Sequence, residues 1–264
     1  MKHGFVQTSN GRLHYLEAGK GEPLVLLHSN GASAFQYEQV MPGFAERWRV
    51  LALDMPGHGD SDPITRHYQI EMYAQAVVSF LDALNIERAA VAGDSVGGSI
   101  CIALARDHAK RTRPVIISEC PLRDNAEWEK TWPRIEATYS QPTNTLADLK
   151  PRLREGRATE EVLKRWNTDR NKAGAWTMVD VMWAMREFDA EGALKALKGP
   201  AAAIVGAKGN VVSNRGPYDS ALGKDLVAVL PECGHFPMID DPALFVNEVN
   251  RLLAAAAAKK QGAV

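Results

Sequence analysis

Two hydrophobic rhythms alternate along this chain. Short continuous apolar runs fall at 23–28 (Pro-Leu-Val-Leu-Leu-His), 49–53, 89–92, 113–118, 200–205 and 226–230. Such runs read as strands buried on both faces. Between them, apolar side chains recur at helical spacing over 70–84 and 99–105, and again from 242 to about 255. Near the start, 5–8 and 13–17 flank Ser9-Asn10-Gly11-Arg12, an Asn-Gly turn that predicts an opening hairpin. Strands that alternate with helices imply a mostly parallel sheet, eight-stranded by this count, with helices on both faces.

The rhythm breaks once. From 122 to 188 the sequence is charged and helical in pattern, and it carries Trp128, Trp132, Trp166, Trp176 and Trp183. We read this stretch as a helical cap inserted over the strand C-terminal ends. The core is then 1–121 and 189–264, forming a single domain. Together with Met178 and Met182, the cap tryptophans suit a bulky hydrophobic ligand better than a small polar one.

The bulk numbers narrow the class. A chain of 264 residues can bury one large α/β core. A formal net charge of −1 gives no reason to expect a nucleic-acid partner. Cys101, Cys120 and Cys233 are an odd, sparse set without a C-x-x-C pair. They argue for a reducing compartment and against a disulfide framework or a metal site. No signal-peptide h-region or bilayer-spanning run is evident, so the expectation is a cytoplasmic protein with no membrane partner. The Ala-rich tail after Leu253, ending in Lys259-Lys260-Gln261-Gly262, is expected to be a helix end that frays.

Candidate chemistry centres on Gly93-Asp94-Ser95-Val96-Gly97-Gly98, between a strand and a helix. A G-x-S-x-G elbow strains the serine backbone and lifts its hydroxyl above the sheet, over a helix N-terminus. The flanking glycines are needed where strand and helix crowd together. A serine nucleophile needs a base. His235, in Gly234-His235-Phe236-Pro237 after the last strand, is the best placed of the histidines. The base needs a carboxylate, and Glu119 ends the strand after the elbow strand, in Ser118-Glu119-Cys120-Pro121. Catalytic groups in open parallel sheets gather at such ends. The oxyanion hole is expected from the backbone N–H of Val96 and one from His28-Ser29-Asn30-Gly31: Asn30 first, Ser29 as the fallback. Asp94 is expected to stabilise the turn.

These segments, with Asp54-Met55-Pro56-Gly57-His58-Gly59, resemble the α/β-hydrolase superfamily over essentially the whole chain. Most members carry their acid after the penultimate strand, in a pattern such as V-G-x-x-D. Here that stretch reads Val205-Gly206-Ala207-Lys208-Gly209-Asn210, and the acid position is Gly209. The absent acid together with Glu119 is similar to the zearalenone lactone hydrolases, which use a Ser-Glu-His triad. The resemblance implies hydrolysis of a macrocyclic resorcylic lactone without a cofactor, and leaves room for a homodimer. It also implies a cap tryptophan at the substrate, matched here to Trp183, with Ser29, Gly31 and Met178 as further candidate contacts. The chain departs from that group in having Asp94, not cysteine, before the serine, and His28, not proline, at the start of the oxyanion loop.

Three readings stay open on the sequence. The first is a lactonase or esterase acting on a bulky hydrophobic lactone or ester. The second is a carbon–carbon bond hydrolase or general carboxylesterase, which shares the elbow. The third is a binding-only receptor, favoured by the missing acid at Gly209.

Overall fold

The computed structural model describes residues 1–261; residues 262–264, where part of the expected fraying falls, lie outside the described residues. One sheet of eight strands has the order β1-β2-β4-β3-β5-β6-β7-β8. The strands are β1 (Lys2–Thr8), β2 (Gly11–Ala18), β3 (Glu22–Leu27), β4 (Trp48–Leu53), β5 (Ala89–Asp94), β6 (Thr112–Ser118), β7 (Ala201–Gly206) and β8 (Val227–Leu230). β2 runs antiparallel to β1 and β4, and every pairing from β4 to β8 is parallel. The Asn-Gly hairpin forms as expected, with β1 starting three residues earlier than its apolar pattern because backbone pairing with β2 carries it to Lys2.

The helices are α1 (Met41–Ala45), α2 (Ile70–Ala83), α3 (Val96–Asp107), α4 (Asn125–Tyr139), α5 (Leu146–Leu149), α6 (Glu160–Glu187), α7 (Ala190–Lys195), α8 (Gly216–Leu222), α9 (Pro237–Asp240) and α10 (Pro242–Gln261). α3 packs on β5 and β6 and against α2, while α1 meets α10, giving the two helical layers. Alanine-rich β5 and β7, both buried along their whole length, let the covering helices approach closely.

Between β6 and β7 the chain leaves the sheet for α4, α5 and α6. Capping boxes at Asp124 and Thr145 start α4 and α5. α6 breaks at Gly174 (φ 75°, ψ 157°), which splits it into two arms. This insertion lies against loops that follow the C-terminal ends of core strands. A side chain on Gly57 would meet Thr177, and one on Gly234 would meet the Arg152 backbone. Lys172 and Asp60 pair at 2.6 Å, and His67 meets Asp180 at 2.6 Å. Trp128 and Trp166 are buried, whereas Trp176 and Trp183 are exposed. Among the described residues no helix is long and apolar enough to cross a membrane.

Candidate active site

Ser95 sits between β5 and α3 with φ 56° and ψ −113°, a conformation L-residues avoid unless the surroundings enforce it. The enforcement is visible. Ser95 N–H donates to the Ser118 carbonyl at 2.8 Å, tying the elbow to β6. A Cβ on Gly93 would strike the Gly97 carbonyl, and one on Gly97 would strike that of Leu27, so neither position admits a side chain.

Glu119 follows β6 directly and is fully buried, with φ 46°. Its own N–H donates to the Ile204 carbonyl at 3.0 Å, so β7 fixes its backbone. Gly206 N–H donates to Oε1 at 2.6 Å, and Oε2 lies 3.1 Å from His235 Nδ1. The carboxylate therefore holds the Nδ1–H tautomer and leaves Nε2 as the basic nitrogen. His235 N–H donates to the Arg152 carbonyl at 2.8 Å, which anchors the histidine loop on the helical insertion. Burial lowers the His235 pKa below that of a free histidine, although Glu119 pulls the other way. A neutral imidazole at neutral pH is the form a general base needs. Among the described residues no hydrogen bond joins Ser95 Oγ to the imidazole. In ligand-free hydrolases that contact often tightens only with substrate bound.

Gly209 explains where the usual acid went. A Cβ there would stand 2.6 Å from Glu119 Oε2 and 2.8 Å from Oε1. The carboxylate of Glu119 thus fills the space beside the histidine that a side chain at the superfamily's usual acid position would need.

The oxyanion loop also resolves into roles. Ser29 N–H donates to Gln36 Oε1 at 3.0 Å and its hydroxyl to the same oxygen at 2.8 Å. With both groups already donated to Gln36, Ser29 is not free as the fallback oxyanion donor, and its hydroxyl proton is turned to the core. The backbone N–H groups of Asn30 and Val96 have no protein acceptor among the described residues. Asn30 Nδ2 donates to the Met178 carbonyl at 2.8 Å. Gly31 has φ 75°, and a Cβ on it would come within 2.7 Å of Met178 Sδ. Met178 is fully buried and braces the loop. Trp183 is 39% exposed and packs against Trp132 in a tilted pair with ring centroids 4.3 Å apart, with the Arg186 guanidinium 5.0 Å from both rings.

Neighbouring titratable groups are held quiet. Burial pushes the Cys120 thiol up to about 11 and Cys233 to about 12, so neither is a ready thiolate. Burial holds His58 down to about 3 and also lowers His28, whose Nδ1–H donates to the Ser29 carbonyl at 2.8 Å. Asp94 is raised well above the usual carboxylate range by burial and by Glu119, and accepts from the Ser118 hydroxyl at 2.9 Å. His14, Asp54 and Asp60 bring potential ligand atoms within 4.8 Å of one another. Their carboxylates already accept from His14, two backbone N–H groups and Lys172.

Two residues near the site carried no signal in the sequence. Gln36 bonds Ser29, as above. Arg170 is fully buried; its Nη2 donates to the carbonyls of Thr138 (2.8 Å) and Gln141 (2.6 Å). Its Nε and Nη1 have no partner, and Nη1 lies 3.5 Å from where a Cβ on Gly31 would be. A cavity of about 580 Å³ opens beside the site, lined by Phe35, Gln36, Arg165, Trp166, Asp169 and Ile239 among others. Ser95, Glu119 and His235 are not on its wall, so the cavity adjoins the chemistry without containing it.

Comparisons with known proteins agree with this fold. A sequence model described as "alpha/beta hydrolase fold" matches residues 22–173. The chain is 35% identical over 111 residues to haloalkane dehalogenase 2 of Mycobacterium tuberculosis (strain ATCC 25618 / H37Rv), covering 42% of this chain and 39% of that relative. It therefore spans well under two thirds of that protein. It is 27% identical over 263 residues to 2-hydroxymuconate semialdehyde hydrolase of Pseudomonas sp. (strain CF600), covering 93% and 91% of the two chains. Among solved structures, the enol-lactonase from Burkholderia xenovorans LB400 superposes with a TM-score of 0.80 at 22% identity, over 95% of this chain and 100% of that one.

Proposed function

We propose that this chain, which belongs to the alpha/beta-hydrolase fold family, is a serine hydrolase that opens a lactone or carboxylic ester of a bulky hydrophobic substrate without a cofactor. A zearalenone-type macrocyclic lactone is the first candidate. The observation that carries the reading is the Glu119–His235 hydrogen bond of 3.1 Å, made in the space left by Gly209.

In this mechanism His235 Nε2 takes the Ser95 proton as Oγ attacks the carbonyl carbon. The resulting oxyanion is held by the N–H groups of Asn30 and Val96, at the positive end of α3. The imidazolium, stabilised by Glu119, protonates the leaving alkoxide, which in a lactone stays tethered to the acyl group. Water, deprotonated by the same base, then releases the acid and restores Ser95. The resorcylic lactone is supported by the Ser-Glu-His arrangement and by the aromatic insertion. The binding-only reading rested on the missing acid, and Glu119 supplies one.

A specific observation favours a second reading. The buried guanidinium of Arg170, whose Nη1 lies near the oxyanion loop and has no hydrogen-bond partner, would suit a substrate with an anionic oxygen close to its reacting carbonyl. The similarity to 2-hydroxymuconate semialdehyde hydrolase points the same way, toward carbon–carbon bond hydrolysis on the same elbow.

The test is turnover of zearalenone by the purified protein, followed chromatographically, beside 2-hydroxymuconate semialdehyde and a panel of neutral esters. Ser95→Ala serves as control in each case. Lactone loss that disappears in the control supports the first reading. Turnover of the semialdehyde alone replaces it with the second. Fluorophosphonate labelling that persists in Ser95→Ala sinks both.

A further inference from the structure

Gln36 belongs to the short 3-10 turn Ala34–Tyr37 that follows the oxyanion loop. Its side chain is buried, and its amide faces two ways. Oε1 accepts from Ser29 N–H (3.0 Å) and from Ser29 Oγ–H (2.8 Å), while Nε2 donates to Asp94 Oδ2 (3.3 Å) and lies 3.6 Å from Met238 Sδ. The chemistry of the partners sets the orientation of the amide. Both Ser29 groups offer protons, so the oxygen must face them, and the NH₂ is left for Asp94. Ser29 is the residue before Asn30, and Asp94 is the residue before Ser95. One planar amide therefore spans the two backbone segments that present the oxyanion donor and the nucleophile.

We propose that Gln36 is a positioning residue that sets the distance between the Asn30 N–H and Ser95 by bridging Ser29 to Asp94. The proposal rests on the serine-hydrolase reading above. Oxyanion donors act only when they lie within hydrogen-bond range of the place where charge develops, so a small displacement of the loop costs transition-state stabilisation rather than substrate affinity. No apolar residue can make this link, because it needs an acceptor at one end and a donor at the other. Asn30 is held separately by its bond to the Met178 carbonyl, so two struts fix the loop, from the core and from the insertion.

The experiment uses the full chain, a p-nitrophenyl ester and a boronic acid as transition-state analogue. Gln36→Leu is expected to lower kcat roughly 100-fold, with KM changed less than about threefold, the scale of a misplaced oxyanion donor. Boronate affinity should fall in step with kcat, which general loosening of the core would not produce. Gln36→Glu gives a second, independent signature. While the introduced carboxyl and Asp94 share one proton, the pair can still link Ser29 to Asp94; once that proton is lost at higher pH, the two carboxylates repel. The kcat of this variant should climb toward wild type as pH falls, where the wild-type kcat does not rise. Besides Asp94, the charged groups bearing on this point are Glu119 and Arg152, which act on Asp94, and Arg165 and Asp169 across the cavity. They are common to both proteins and cancel in the comparison.

Gln36→Leu within threefold of wild-type kcat, or a Gln36→Glu profile parallel to wild type, overturns the proposal. If Gln36→Leu does not fold, the Gln36→Glu profile decides alone. Failure of the underlying reading looks different: wild type itself then neither hydrolyses the ester nor takes a fluorophosphonate on Ser95, and the proposal falls with it.

Discussion

Glu119 and Gly209 compete for one place beside His235. The carboxylate at the end of β6 occupies it, and Gly209, in the loop after β7, has no side chain: a Cβ there would lie 2.6 Å from Glu119 Oε2. A side chain at Gly209 and the Glu119 carboxylate would claim the same space, so the two positions exclude one another. This exclusion predicts that the acid can be moved. Gly209→Ala should push Glu119 off the imidazole and lower kcat at least about tenfold. Glu119→Ala should be far worse, and Glu119→Ala/Gly209→Asp should recover part of that loss. Steady-state kinetics on the four proteins checks the cycle; no recovery in the double variant would show that the position after β7 cannot address the histidine.

Glu119→Gln keeps the shape and removes the charge. The amide can present an N–H to Nδ1 and so favour the wrong tautomer of His235. Loss of kcat on the order of 10³- to 10⁴-fold is expected, with KM little changed, as for removal of the charge from a triad acid. Titration with a fluorophosphonate under forcing conditions verifies that the serine is still present and folded.

The pH dependence of the rate follows from His235. Burial depresses its pKa, so the imidazole stays neutral and basic below pH 6.5, where a free histidine would be protonating. The acid limb of kcat/KM should therefore fall below pH 6.5. A limb centred above 6.5 would mean that Glu119 outweighs burial.

Stability carries a related signature from His58. Its folded pKa is about 3, against 6.5 for a free histidine. As pH falls below 6.5 the unfolded chain takes a proton that the folded protein refuses, so stability is lost progressively between 6.5 and 3. At about 1.4 kcal/mol per pH unit, His58 should cost ~2 kcal/mol at pH 5 relative to pH 7.5. Urea melts of wild type and His58→Gln at both pH values isolate this share, because groups common to the two proteins cancel. Equal pH dependence in both would refute the assignment.

Gly31→Ala tests the brace between the oxyanion loop and α6. The position has φ 75°, which costs an L-residue roughly 1–2 kcal/mol, and the new methyl would meet Met178 Sδ. We expect lower stability and a larger fall in kcat than in KM. Met178→Ala in the same chain should relieve the contact but not the backbone strain, restoring part of kcat and less of the stability. A thermal melt and a kinetic assay on the single and double variants separate the two components.

The alternation of apolar runs and helical periods was enough to assign β3 to β8 and the main helices, because a strand covered on both faces must be apolar throughout. The elbow was equally legible: its glycines answer a local constraint, the crowding of β5 against α3. Cooperative pairing lengthened what periodicity delimited, as in β1, whose outer residues belong to the hairpin with β2 rather than to an apolar pattern. What the sequence could not carry were relationships between segments distant along the chain. That Glu119 fills the void at Gly209, that Ser29 turns inward to Gln36, and that the unpartnered Nη1 of Arg170 lies near Gly31 are facts of packing. Each depends on which loops meet over the sheet. One-dimensional periodicity records which face of an element is buried, but not what it is buried against; that is decided only when the helices between β6 and β7 close on the strand ends.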